Sequence, residues 1–258
     1  DGEIIRAVVR HGAMTRQQIA RLCFLKPNGR LASVQAACRR LSLLAQREYV
    51  TRYRLPVAQG SGQYVYLPGK RAKDVLSEDE QAIYQPSSRR ARSAASLRHG
   101  LEVVNFYLAL REGLQLQGGA ILTWLTEQEA HYSFEGNGGS LPLTPDGYGL
   151  WSLAGEEGAF FLEWDRGTES LARLEQKMAR YADYYLARAY RQHLGDMGLR
   201  PRILLVVPDQ RREQRVARWM VSRREPGPWA ALPTVLIGAE QRVLADILGC
   251  VWRVPGDD

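Results

Sequence analysis

Apolar positions along the first 70 residues fall into three short helical stripes followed by two β-prone runs. Ile4, Ile5, Val8 and Val9 share one face of a helix over residues 3–11, which Gly12 stops. Thr15 is an N-cap with Gln18 at the capping-box position, and it opens a second helix over 17–24. After a turn at Lys26-Pro27-Asn28-Gly29, residues Val34, Ala37, Cys38, Leu41, Leu44 and Ala45 repeat at helical spacing, leaving Arg39 and Arg40 outside the stripe. Residues 49–55 and 63–67 read as strands, with hairpin chemistry at Gln59-Gly60-Ser61-Gly62 between them. Three helices and a basic hairpin predict a winged helix-turn-helix domain over 1–69, whose third helix enters a major groove while the hairpin touches adjacent backbone.

Residues 70–96 change character. Lys70-Arg71 and Arg89-Arg90 bracket an acidic patch from Asp74 to Glu80, and Pro, Ser and Ala follow. This predicts a linker with a short helix around 74–84 and a boundary near residue 90. The second domain, 97–258, opens with an amphipathic helix over 97–115. Strands are predicted at 121–125, 148–153, 159–164, 202–207 and 234–237, with helices at 169–192 and 213–221. The whole is an α+β chain of two domains, the second built on a central sheet.

Charge sharpens this division. Residues 1–95 carry 17 Lys and Arg against 7 Asp and Glu, net +10, whereas residues 96–258 carry 18 against 21, net −3. A basic head on a near-neutral body is an electrostatic footprint for a polyanion, most often nucleic acid. Arg30, Arg39, Arg40, Arg52 and Arg54, on or beside the third helix and on the hairpin, are the candidate contacts with double-stranded DNA. Each also fits a solvated surface arginine. Cys23, Cys38 and Cys250 lack CxxC spacing, and no apolar run approaches the roughly 18 residues of a membrane span. A reducing, cytoplasmic setting is expected. A chain beginning at Asp1 is expected to belong to a longer protein.

Candidate chemistry lies in the second domain. Asp146, Glu163 and Asp165 flank a turn at residues 154–158, and counting back from that turn puts Asp146 roughly across from Asp165. Glu163 and Asp165, two apart on a strand, share a face. Converging carboxylates are hard ligands for Mg²⁺ or Mn²⁺, able to activate a water or hold a leaving oxygen. Only four of the 35 basic residues are Lys (26, 70, 73 and 177), and Lys177 lies beside the apolar stripe of the next helix, within reach of the same hairpin end. There it would stabilise charge on a reacting phosphate. The competing reading is a structural salt-bridge cluster with Arg166, Arg173 and Arg180. Gly167-Thr168 is expected to end the strand and cap the helix, with Glu169 in the first turn.

Pro145-Asp146, then Glu163-x-Asp165, then Lys177 resembles the PD-(D/E)xK nucleases. The chain as a whole resembles the replication-relaxation family, related to restriction-endonuclease-like relaxases that mobilise plasmids and integrative elements. The likeness runs through Tyr64-Val65-Tyr66-Leu67-Pro68-Gly69, Leu97-Arg98-His99-Gly100, Pro145-Asp146-Gly147 and the stretch from Phe161 to Glu169. It implies a restriction-endonuclease-like α/β second domain with a mixed sheet, and a metal-dependent nick at a plasmid or mobile-element origin without a tyrosine-linked intermediate. Accessory mobilisation or replication proteins are implied as partners, and a homodimer stays open. One position departs from the pattern: Asp165 stands where the motif has Lys, so Lys177 must replace it. The alternative is a DNA-binding initiator or regulator with a degenerate nuclease fold.

Other chemistries lack their residues. His11, His99, His131 and His193 have no zinc-ligand spacing, and neither a GxxxxGK[ST] loop nor a G-x-S-x-G elbow occurs. Tyr181 and Tyr185 fall on a packing stripe and read as core, while Tyr184 is uncommitted.

Overall fold

The computed structural model of the chain describes residues 1–24, 34–57, 62–85, 93–136, 139–195, 198–223 and 228–257. The turn at 26–29, Arg30, the hairpin tip at 59–61 and the arginines at 89, 90 and 92 lie outside the described residues. The chain divides into two compact units, Asp1–Leu108 and Ala109–Asp258.

The first unit runs α1 (Gly2–His11), β1 (Met14–Thr15), α2 (Arg16–Cys23), α3 (Val34–Gln46), β2 (Val50–Arg54), β3 (Tyr64–Pro68), a 3₁₀ turn (Ala72–Val75), α4 (Glu78–Ile83) and the first part of α5 (Ala94–Leu116). Local chemistry sets the ends. Gly12 closes α1 in the left-handed region, its amide donating to the Val9 carbonyl. The Thr15 hydroxyl accepts from the Gln18 amide while the Gln18 side chain accepts from the Thr15 amide, a complete capping box. The Gln18 side chain also donates to the Leu101 carbonyl at 2.7 Å and to Asn105 at 2.8 Å, tying α2 to α5. Strand order is β1-β3-β2, antiparallel throughout.

The two units divide inside α5, whereas the sequence places the start of the second domain at 97. Leu97 and Leu101 pack with Ala13, Leu55, Val65 and Leu67, and Val104 and Leu108 pack with the apolar faces of α1 and α3. Residues 70–85 are likewise part of this core through Ala72 and Leu76. Apolar side chains at helical spacing bury wherever a partner face exists, and here the expected linker supplies some of them.

The second unit contains β4 (Ala120–Thr126), β5 (Tyr132–Gly136), β6 (Gly139–Leu143), β7 (Gly147–Leu153), β8 (Glu156–Trp164), α6 (Leu171–Leu186), α7 (Ala189–Leu194), β9 (Arg202–Val207), α8 (Gln210–Val221), a 3₁₀ turn (Pro228–Ala231), β10 (Val235–Ala239) and α9 (Glu240–Ala245). Five strands form a mixed sheet in the order β10-β9-β8-β7-β4. β7 is antiparallel to β4 and β8, whereas β9 is parallel to β8 and β10. The architecture is therefore mixed α/β, with Phe161, Met178, Tyr181, Tyr184, Ile203 and Ile237 in the core. Two features depart from expectation. The helix over 169–192 is two helices, broken where Arg188 takes a positive φ of 54°, and an additional hairpin β5–β6 packs Tyr132 and Phe134 into the core. Among the described residues no helix is long and apolar enough to cross a membrane.

The β7–β8 turn is tighter than the five residues the sequence suggested. Gly147 pairs with Leu162 and Leu153 with Glu156, leaving only Ala154 and Gly155 at the tip. Both have positive φ, 52° and 83°, as primed two-residue hairpins require. Alanine is strained there. Replacing Ala154 with Gly is expected to raise stability by about 1 kcal/mol, read as a higher urea midpoint at unchanged m-value.

Candidate active site

The short turn moves Asp146 by two places along its partner. The register of β7 and β8 sets it opposite Glu163, not Asp165, and its amide donates to the Leu162 carbonyl at 3.0 Å. Opposed residues of an antiparallel pair project to the same side. The Asp146 carboxylate also accepts from the Trp164 amide at 2.6 Å, which fixes one of its oxygens at the strand end.

Glu163 is 1% exposed. A bare carboxylate at that depth costs several kcal/mol, and α6 supplies what it needs. Ser170 caps α6 by accepting from the Arg173 amide, so the helix begins two residues later than expected, with Glu169 before it and ion-paired to Arg173. One turn further along, Lys177 and Tyr181 stand four residues apart on one face. The Tyr181 hydroxyl donates to Glu163 Oε1 at 2.6 Å, and the Lys177 ammonium pairs with Glu163 Oε2.

Burial pushes the Glu163 carboxyl up to about 7, with Lys177 pulling it down and the charge of Asp146 pushing it further up. For Lys177 burial alone would lower the ammonium, but the charges of Glu163 and Asp146 outweigh it and the net direction is upward. Tyr181, buried and beside a carboxylate, is raised well above its ordinary value and stays a donor. Asp146, Glu163 and Lys177 thus form one electrostatic unit at the end of β8.

Asp165 goes elsewhere. Its amide bonds the Val206 carbonyl, its Oδ1 accepts from the Gly167 amide at 2.7 Å, and its Oδ2 accepts from Arg212 Nε of α8 at 2.8 Å. Arg212 also donates to the Glu169 carbonyl. Gly167, at φ 74° and with Pro208 2.9 Å from where a Cβ would sit, lets the chain turn there. A buried acid takes the nearest guanidinium, and this one matches Asp165 from across 47 residues. The expected set of three converging carboxylates is accordingly not gathered: among the described residues no group of three or more His, Cys, Asp or Glu is placed to hold a metal ion. Of the arginines in the salt-bridge reading, two have partners away from Asp146, Glu163 and Asp165. Arg173 pairs with Glu169, Arg180 donates to the Pro142 carbonyl, and the guanidinium on Asp165 is that of Arg212.

The sequence profile of the Replication-relaxation family matches residues 5–199. The chain belongs to that family. Asp146, Glu163, Lys177 and Tyr181 lie inside the stretch that the family profile covers, whereas Arg212 lies beyond it. No curated protein matches the chain. Among solved structures, the restriction endonuclease FokI bound to DNA is similar at 10% identity and a TM-score of 0.26, over 94% of this family member and 42% of the FokI chain.

Two site residues escaped the sequence reading. Tyr181 was assigned to the core by its spacing, which is right for the ring but silent about the hydroxyl. Arg212 carried no signal, since nothing local links it to Asp165. The tyrosine left open, Tyr184, is buried and its hydroxyl meets His193 Nδ1 at 3.2 Å. In the first unit, Arg39 and Arg40 are exposed on α3, with Arg40 ion-paired to Asp1 at 2.9 Å, and Arg52 and Arg54 lie on β2.

Two measurements check the electrostatics. The folded-state value of Glu163 is above its ordinary 4.5, so its contribution to stability is fully present below about 4.5 and is lost as pH rises through about 7. The unfolding free energy of the wild type from urea melts should therefore fall relative to that of Glu163→Gln across that window, by on the order of 3 kcal/mol. Arg212→Met leaves Asp165 buried and unpaired and should cost about 3–5 kcal/mol, with Asp165→Asn in the same chain recovering part of the loss.

Proposed function

We propose that this member of the Replication-relaxation family is a DNA-processing protein of replication or mobilisation, cytoplasmic in setting, that nicks duplex DNA at an origin-like site with Mg²⁺ or Mn²⁺. The observation that carries it is the meeting of Asp146, Glu163 and Lys177 at one strand end. The order α1-β1-α2-α3-β2-β3 and the net charge of +10 over the first 95 residues support a winged helix that binds the duplex. The mixed sheet with two acids and a lysine at the end of β8 supports a restriction-endonuclease-like second unit.

The donors suit a hard cation. Asp146 and Glu163 face each other closely enough for each charge to raise the other's cost, and a carboxyl poised near 7 gives up its proton readily to a divalent ion. Lys177 and Tyr181 engage one site on each Glu163 oxygen and leave further lone pairs. Asp146 and Glu163 would hold the ion, which when bound neutralises the acids, polarises a phosphate and lowers the pKa of a water. Lys177, partly exposed and kept protonated by its neighbours, is placed to stabilise charge on the phosphate in the transition state. Tyr181 orients the Glu163 carboxylate and does not itself reach outward.

A second reading has its own observation. Asp165 occupies the usual lysine slot and is closed by Arg212, and among the described residues no third acid joins Asp146 and Glu163, which fits a binding protein that has lost cutting. Supercoiled plasmid separates the two. Cutting predicts open circles in Mg²⁺ or Mn²⁺ but not in Ca²⁺, with Asp146→Ala and Lys177→Ala each slowing the reaction about 10²-fold or more and Asp165→Asn doing so less. Nicking by Asp146→Ala at the wild-type rate removes the site, and binding in Ca²⁺ with no nicking by the wild type establishes the non-catalytic reading.

A further inference from the structure

We infer that Arg212 of α8 is a positioning residue for the proposed cut: by bracing the connection between β8 and α6, it sets where α6 presents Lys177 to Glu163. This rests on the proposed function, since the step it serves is the nick, and it gives a role to a residue beyond the stretch that the family profile covers.

The connection is short and tied near both ends. β8 ends at Trp164 and α6 begins at Leu171, with Ser170 as its cap. The Arg212 guanidinium donates from Nε to Asp165 Oδ2 and from Nη2 to the Glu169 carbonyl, each at 2.8 Å. One rigid plane thus holds residues 165 and 169 at a fixed separation. Between them, Asp165 Oδ1 accepts from the Gly167 amide at 2.7 Å, and Gly167 turns with positive φ against Pro208. A side chain at 167 would collide with the proline ring, so the turn is seated closely on the end of β9.

Arg212 is fixed from its own side as well. Its amide donates at 2.8 Å to Oδ1 of Asp209, the cap of α8, and Pro208 and Asp209 follow directly on β9. The Arg212 side chain is 10% exposed. An arginine so covered, with its donors on protein acceptors, is poorly placed to meet a substrate phosphate and well placed to hold one element against another. Apolar packing would stabilise the same spot as well as a buried ion pair does, so the particular contribution of the pair is a fixed geometry.

That geometry reaches the candidate site through α6. Lys177 lies about 9 Å along the helix axis from Leu171, and Tyr181 follows one turn later. Both meet Glu163, which stands two residues before Asp165. The contacts close a ring from β8 to Asp165, to Arg212, to Glu169, along α6 to Lys177 and back to Glu163 of β8. A helix moves as a rod, so a displaced start carries Lys177 with it. Misplacing such a group by about 1 Å costs a reaction up to about 10²-fold. A lysine at position 212 would keep the charge but lose the fork, and could not hold Asp165 and Glu169 together in this way.

The test is Arg212→Lys in the full chain, read by single-turnover nicking of supercoiled plasmid in Mn²⁺ with protein in excess and by duplex binding in Ca²⁺. The rate constant should fall about 10-fold to 10²-fold at unchanged duplex affinity, and hydrogen exchange should quicken in the amides of residues 166–177. A double-mutant cycle then separates positioning from a general loosening of the fold. Acting through Lys177, the Arg212→Lys change should have little further effect on the rate of Lys177→Ala, whereas loosening lowers the rate equally in both backgrounds. Nicking by Arg212→Lys at the wild-type rate, or equal losses in the two backgrounds, overturns the inference. So does a matching loss of duplex affinity in Ca²⁺, which would make Arg212 a DNA contact. A wild type that nicks in neither Mg²⁺ nor Mn²⁺ overturns the proposed cut itself, and the role of Arg212 in it goes with it.

Discussion

A carboxylate buried at the end of β8 sets the terms for the second unit. Glu163 is held below the surface on the central strand, where its charge cannot be solvated by water, so the surrounding elements must do it. Among the described residues of this unit two other acids are buried, Asp165 and Glu213, and both are met by arginine. Asp165 has Arg212; Glu213 has Arg242, Arg253 and the Ala239 amide. Guanidiniums with several directed donors satisfy a carboxylate and lock elements together, α8 to the β8 end in one case and α8 to β10 and the C-terminal segment in the other. Glu163 receives a point-charge ammonium and a phenol. That pairing supports its charge while leaving its oxygens able to accept more.

Topology brings the lysine there. β8 and β9 run parallel, so the chain must cross over between them, and α6 is the helix that makes the crossing. A crossover helix starts near the carboxyl end of the strand it leaves, the end where open α/β sheets place their ligands. Glu163 is the penultimate residue of β8, and the antiparallel neighbour β7 begins just after Asp146. The three elements therefore share one edge by construction. A side chain one or two turns into α6 is spatially closer to Glu163 than sequence distance implies.

Much of this was legible in order and less in detail. The strands of the large sheet were readable as β-branched and aromatic runs, and Thr15 with Gln18 announced a helix start because a capping box is a local device. The β5–β6 hairpin was not read, although Tyr132 and Phe134 alternate with Ser133 and Glu135, because Gly136, Gly139 and Pro142 look like loop. The register error at Asp146 came from Ala154, a residue that propensity keeps out of positive φ and so hides a two-residue turn. Where the two compact units divide is not legible in the sequence, because α5 carries apolar residues on both sides of that point and a stripe does not say which core it enters.

The site shows the same limit more sharply. That Asp146, Glu163 and Lys177 belong together followed from motif order, but the fate of Asp165 depended on Arg212, two elements later. Alternation along a strand says where a carboxylate starts out, and the nearest cation decides where it ends. Asp165 is an acid engaged by α8, and the ammonium that meets Glu163 comes from another element. The helix that spans the same strand end offers one at Lys177, with Tyr181 a turn behind it to keep Glu163 turned toward it. Asp165 with Arg212 and Glu163 with Lys177 are thus two acids of one strand end, two residues apart, each met by a cation from a different helix.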